Sequence, residues 1–89
     1  MTLRVHKSAK KHGLTVEEIS HAIDFALAEF DLDPDNDPPK ILIIGPDPAG
    51  NLLELIGGEL ADDVLLIWHA DRCRNQYLEL LDNAGGEDG

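Results

Sequence analysis

His69, Arg74 and Tyr77 stand close together in the stretch Ile67-Trp68-His69-Ala70-Asp71-Arg72-Cys73-Arg74-Asn75-Gln76-Tyr77. An imidazole, a guanidinium and a phenol are tools for cleaving RNA without a metal. The guanidinium holds the scissile phosphate and the charge of its transition state. The imidazole or the phenol moves protons at the 2′-hydroxyl and the leaving oxygen. His12 offers a second imidazole near the other end of the chain. The same residues also have a purely structural reading: a strand-end histidine bonded locally, an arginine paired with a carboxylate, and a tyrosine in the core.

The elements that would position these groups follow from hydrophobic spacing. Val64 to Trp68 is an apolar run and reads as a strand that ends at His69. Asp71 to Leu81 has helical spacing, with Asp71 as N-cap. In that helix Arg74 and Tyr77 are i, i+3 neighbours on one face. At the other end, residues 4–12 read as a short helix that Gly13 terminates. Arg4, Lys7 and Lys11 share one of its faces. Val5, Ala9 and His12 share another, which leaves His12 at the helix end, where the macrodipole favours it.

The middle of the chain is read in the same way. Thr15 to Glu18 is a capping box. The helix it opens is expected to run to about Phe30, with Val16, Ile19, Ile23, Ala26, Leu27 and Phe30 facing a core and His21 and Phe25 flanking it. Asp31 to Pro39, rich in aspartate and proline, reads as a solvated loop. Its alternating aspartates lack the glycine and terminal glutamate of a calcium loop. Lys40 to Gly45 is a buried strand, Pro46 to Gly50 a hairpin turn, and Asn51 to Ile56 a second strand whose only charge is Glu54. Gly57 to Asp63 connects it to the third strand.

The expected fold is α+β: two N-terminal helices, a three-stranded antiparallel sheet and a C-terminal helix, in the order α-α-β-β-β-α. Residues 1–83 form a single compact domain, and residues 84–89 are expected to be a disordered tail.

Composition narrows the classes. The chain has 89 residues and a net charge of −11. Such a balance argues against a general nucleic-acid binder. The seven basic residues, however, fall in three places only: Arg4 to Lys11, Lys40, and Arg72 with Arg74. Lys7, Lys10, Lys11 and Arg72 are therefore the candidate substrate-binding cations of one basic patch on an acidic molecule. Cys73 is the single cysteine, so no internal disulfide forms. A reducing, cytoplasmic setting is expected. Beside two arginines its thiol is a candidate for activation, or it simply packs against the helix. No apolar run is long enough to span a membrane, and no apolar segment follows the basic N-terminus as in a secretory signal. There is no Gly-rich phosphate loop, zinc-type cysteine pair, HExxH or Gly-x-Ser-x-Gly, and no cofactor or metal site is expected.

Three stretches together resemble small bacterial toxins of the BrnT-like family, within the RelE-like superfamily. They are Ser8-Ala9-Lys10-Lys11-His12-Gly13-Leu14-Thr15-Val16-Glu17-Glu18-Ile19 with His21-Ala22, then Ile44-Gly45-Pro46-Asp47-Pro48-Ala49-Gly50-Asn51-Leu52-Leu53-Glu54-Leu55, and last Ile67, His69-Ala70, Arg74 and Tyr77. The resemblance implies a RelE-like fold, a ribonuclease toxin activity and neutralisation by a cognate antitoxin protein. Carried over by position, His12, His69, Arg74 and Tyr77 are the catalytic residues. The chain departs from the pattern at Asp71, where a methionine is common, and at Asn75-Gln76 in place of Pro-Lys. The first adds a negative charge to the corner and the second removes a positive one. The competing expectation is a non-catalytic interaction module that has lost activity. Phe25 beside His21 would then mark an antitoxin surface or a homodimer contact.

Overall fold

The computed structural model describes residues 1–86. The chain forms strand β1 (Thr2–Val5), a 3-10 turn (Lys7–Lys10), helix α1 (Val16–Asp24), strands β2 (Ala28–Asp33), β3 (Lys40–Pro46), β4 (Leu52–Leu60) and β5 (Val64–Arg72), and helix α2 (Asn75–Gly86). The strands make one five-stranded sheet in the order β1-β5-β4-β3-β2. β1 runs parallel to β5, and the other pairs are antiparallel. No described helix is long and apolar enough to cross a membrane.

This corrects the expected α-α-β-β-β-α order and its RelE-like three-stranded antiparallel sheet. Residues 4–12 do not form a helix. Leu3-Arg4-Val5 alternates at the strand period and adds to β5, pairing Thr2 with Val64 and Val5 with Ile67. The expected second helix stops at Asp24. There Phe25 caps it, its N–H donating to the His21 carbonyl. Ala28-Glu29-Phe30-Asp31 then alternates apolar and acidic residues, and this strand pairs with β3. Helix α2 begins at Asn75 instead of Asp71. The Arg74 carbonyl accepts its first bonds, from Tyr77 N–H at 2.9 Å and Leu78 N–H at 3.0 Å. The helix extends to Gly86, and the remainder of the tail expected over residues 84–89 lies outside the described residues.

The local chemistry of α1 is as the sequence implies. Thr15 Oγ1 accepts from Glu18 N–H at 3.1 Å, and Thr15 N–H donates to Glu18 Oε1 at 2.8 Å. Ile19 and Ala22 face the sheet and are fully buried. They pack with Ile41, Ile43, Leu53, Leu55 and Ile67 into one apolar cluster. Gly45 lets the helix approach: a Cβ there would lie 2.0 Å from the Ala22 carbonyl oxygen.

The β4–β5 pairing contains a bulge. Ile56 pairs with His69 but Gly57 pairs with Ile67, so Trp68 is the extra residue. Leu65 and Ile67 point into the apolar cluster, and after the bulge Ala70 does so too. Strict alternation would have sent His69 into that core. The extra residue turns it to the opposite face, since a one-residue slip exchanges the faces of a strand. Gly57 makes room for the bulge, because a Cβ there would meet the Leu66 carbonyl oxygen at 2.0 Å.

Candidate functional site

Glu54 lies on the face opposite the apolar cluster and is fully buried. A buried carboxylate must be paired and hydrogen-bonded, and this one is saturated. Its Oε1 accepts from the backbone N–H of Arg74 at 2.8 Å and from Arg74 Nε at 3.1 Å. Its Oε2 accepts from Arg74 Nε at 3.0 Å and His69 Nε2 at 2.8 Å, and forms an ion pair with Arg74 Nη2 at 2.8 Å. Among the described residues no buried side-chain polar atom lacks a partner.

The electrostatics follow from this geometry. Burial acts to raise the Glu54 carboxyl, but the hydrogen bonds from Arg74 and His69 and the Arg74 charge outweigh it. Glu54 is held below the usual glutamate range. The same bonds, with the negative charge of Glu54, raise the Arg74 guanidinium above its ordinary value. An ionised carboxylate is acceptor-only, so His69 Nε2 carries the proton of that bond. In the neutral ring, Nδ1 is then left with its lone pair.

The structure brings together the four residues singled out for catalysis. The His12 ring meets the His69 ring edge-on, with centroids 5.9 Å apart and planes at 75°. His12 Nδ1 lies 3.7 Å from Asp71 Oδ2. The Arg74 guanidinium carbon is 5.3 Å from the Tyr77 ring centre. A continuous line of contacts therefore runs from Asp71 through His12, His69, Glu54 and Arg74 to Tyr77. The side chains of His69 and Arg74 are 26% and 52% exposed, so a ligand reaches both. Asp71 sits directly across the ladder from Glu54. Two carboxylates so placed repel, and each is answered by its own histidine.

The candidate substrate-binding cations divide. Lys7, Lys10 and Lys11 are exposed on or just after the 3-10 turn. That turn packs against β5, where Ser8 Oγ donates to the Trp68 carbonyl at 2.6 Å. Arg72 goes elsewhere. It pairs opposite Leu53, a core residue, so its side chain leaves by the other face. Its charge instead helps to lower Asp47 in the β3–β4 turn. Burial acts to raise that carboxyl, and the Asn51 and Ala49 N–H donors outweigh it. Cys73 is not activated: burial and the negative charge of Glu54 push its thiol up, against the opposing pull of Arg74.

Glu54 is the residue that sequence reasoning passes over. Its one signal is being the only charge within Leu52 to Gly58. His69 and Arg74, the residues that explain it, lie 15 and 20 positions away along the chain.

No protein-family model, curated protein or solved structure matches the chain.

Proposed function

We propose that the protein is a metal-independent endoribonuclease, the toxin of a bacterial toxin–antitoxin pair working in the cytoplasm and held in check by a cognate antitoxin. The observation that carries this reading is the edge contact of His12 with a His69 whose ring is fixed by a buried carboxylate shared with Arg74. A base oriented by a third group is the general form of a proton-transfer site. His69 Nδ1 takes the proton of an RNA 2′-hydroxyl. The freed oxygen attacks the adjacent phosphorus, and the bond to the 5′-oxygen breaks. His12, in its protonated form beside Asp71, gives a proton to that leaving oxygen. The products are a 2′,3′-cyclic phosphate and a 5′-hydroxyl. Arg74 offsets the charge that develops on phosphorus-bound oxygens. Tyr77 supports the guanidinium through its ring face. Lys7, Lys10 and Lys11 hold flanking phosphates.

The test is cleavage of an RNA oligonucleotide by purified protein in chelator, with the products' end groups identified. Wild type should leave cyclic phosphate ends, and its expression should arrest growth. His69→Asn and Arg74→Lys should lower the rate at least a hundredfold in protein whose folding is checked by circular dichroism. A wild-type protein that neither cleaves RNA nor slows growth overturns the reading.

A second reading is favoured by the occupancy of Arg74, whose guanidinium is already committed to Glu54. The cluster would then be a structural clamp in a non-catalytic interaction module. Its mark would be a stable complex with a partner protein that survives Arg74→Lys, with no nuclease activity.

A further inference from the structure

We infer that the free edge of β2, together with the apolar cavity beside it, docks an extended lysine- or arginine-rich segment of a partner protein. Among the described residues β2 pairs only with β3, so one side of it carries unpaired backbone donors and acceptors, a template for another strand. The register shifts between Asp31 and Asp33, so the regular edge is Ala28 to Asp31. A cavity of about 210 Å³ opens on the α1 face of the sheet, lined by Ile23, Ala26, Ile41 and Ile43, with Glu29 and Glu59 in its wall. Phe25 and Leu27, each 59% exposed, lie in the link from α1 to β2. Large apolar side chains grouped beside an open edge mark an interaction surface.

Charge selects the occupant. From Gly13 to Pro39 every charged side chain apart from His21 is a carboxylate. Two copies of this chain paired through β2 would set Glu29 and Asp31 against the same acids, and like charges across a ladder are destabilising. A net charge of −11 on each copy adds to that repulsion. A basic strand is attracted on both counts. Alternation also fits. Glu29 and Asp31 pair with Ile43 and Ile41 and share the cavity's face, while Ala28 and Phe30 share the other. On the added strand, lysine or arginine would fall opposite the two acids. Their apolar stems would cross the cavity wall with the charged heads at Glu29 and Glu59. Aliphatic residues between them would lie beside Ala28 and Phe30.

This surface shares no residue with the Glu54 cluster, and its cavity lies on the opposite face of the sheet, so its failure leaves the phosphodiester reading untouched. The probe is a short acetylated peptide of alternating lysine and valine, added to the full chain while backbone amide shifts are followed. Saturable shifts confined to Ala28–Asp33 and the cavity residues are expected, with affinity falling severalfold as salt rises. The double change Glu29→Lys and Asp31→Lys should lower affinity at least tenfold and leave RNA cleavage unchanged. Three outcomes overturn the inference: no binding, equal binding of a glutamate–valine peptide, or shifts centred on another surface. A fourth is self-association of the free chain that protects the β2 amides, which would make the occupant a second copy.

Discussion

At the scale of single residues the molecule turns on Glu54. A buried carboxylate that receives every donor around it is held ionised, and that fixes which nitrogen of His69 bears a proton. It also links stability to acid. Glu54 has a lower pKa folded than unfolded, so its contribution is complete above the unfolded value of about 4.3 and is lost as pH falls through the folded value. Asp47 acts with the same sign. Urea unfolding across the range below about pH 5 should therefore show stability falling steeply. Glu54→Gln should cost about 2 kcal/mol at neutral pH, the value of hydrogen bonds to a charged group, and flatten that acid slope. If the slope is unchanged in Glu54→Gln, the carboxylate is not the titrating clamp described above. His12, His69, Arg74 and Tyr77 are legible in the sequence because their types carry chemistry wherever they stand. Glu54 is not, because one acid in an apolar strand looks the same whether it faces water or two distant cations.

At the scale of elements, the site depends on one irregularity. The β5 bulge decides which face His69 occupies, and Gly57 decides whether the bulge fits. Gly57→Ala would place a methyl group 2.0 Å from the Leu66 carbonyl oxygen. The strands must part or the bulge must move, at a cost of about 1–3 kcal/mol. Thermal unfolding should register the loss. Amide shifts should register a change at Trp68 and His69 larger than at Glu29 or Phe30, two strands away from Gly57. An unperturbed melting temperature would mean that the strands yield freely there. Strand β3 and the capping box are legible because their patterns are local. By contrast, β4 runs on to Leu60 through residues read as a connection, β5 continues past His69 to Arg72, and α2 starts at Asn75 rather than Asp71. β1 and β2 are not legible. The short alternation Leu3-Arg4-Val5 competes with the helical spacing of Val5, Ala9 and His12, and its partner begins only at Val64. Phe30 satisfies both the helical spacing from Ile23 and Ala26 and the alternation of β2. Only pairing with β3 separates the two.

At the scale of the whole molecule, charge is unevenly placed. Lys7, Lys10 and Lys11 lie exposed beside the end of β5 that carries His69, and an acidic run occupies Gly13 to Pro39. If a molecule of net charge −11 binds RNA as proposed, such a local patch would have to hold it. Changing the three lysines to glutamine should lower the slope of log affinity against log salt by about 2, at about 0.7 per single-strand phosphate contact. Retention of the full slope would place the RNA track elsewhere.

The parallel pairing of β1 with β5 also sets a schedule for synthesis. The first strand has no neighbour until the fifth exists, and the turn that carries His12 meets β5 beside His69. A nascent chain emerging from the ribosome thus has His12 and His69 separated for nearly the whole of translation. They meet only when Val64 to Arg72 has cleared the exit. Non-local closure of this kind is slow. On the proposed reading the His12–His69 contact would form only with that closure, and an unfinished polypeptide would lack it.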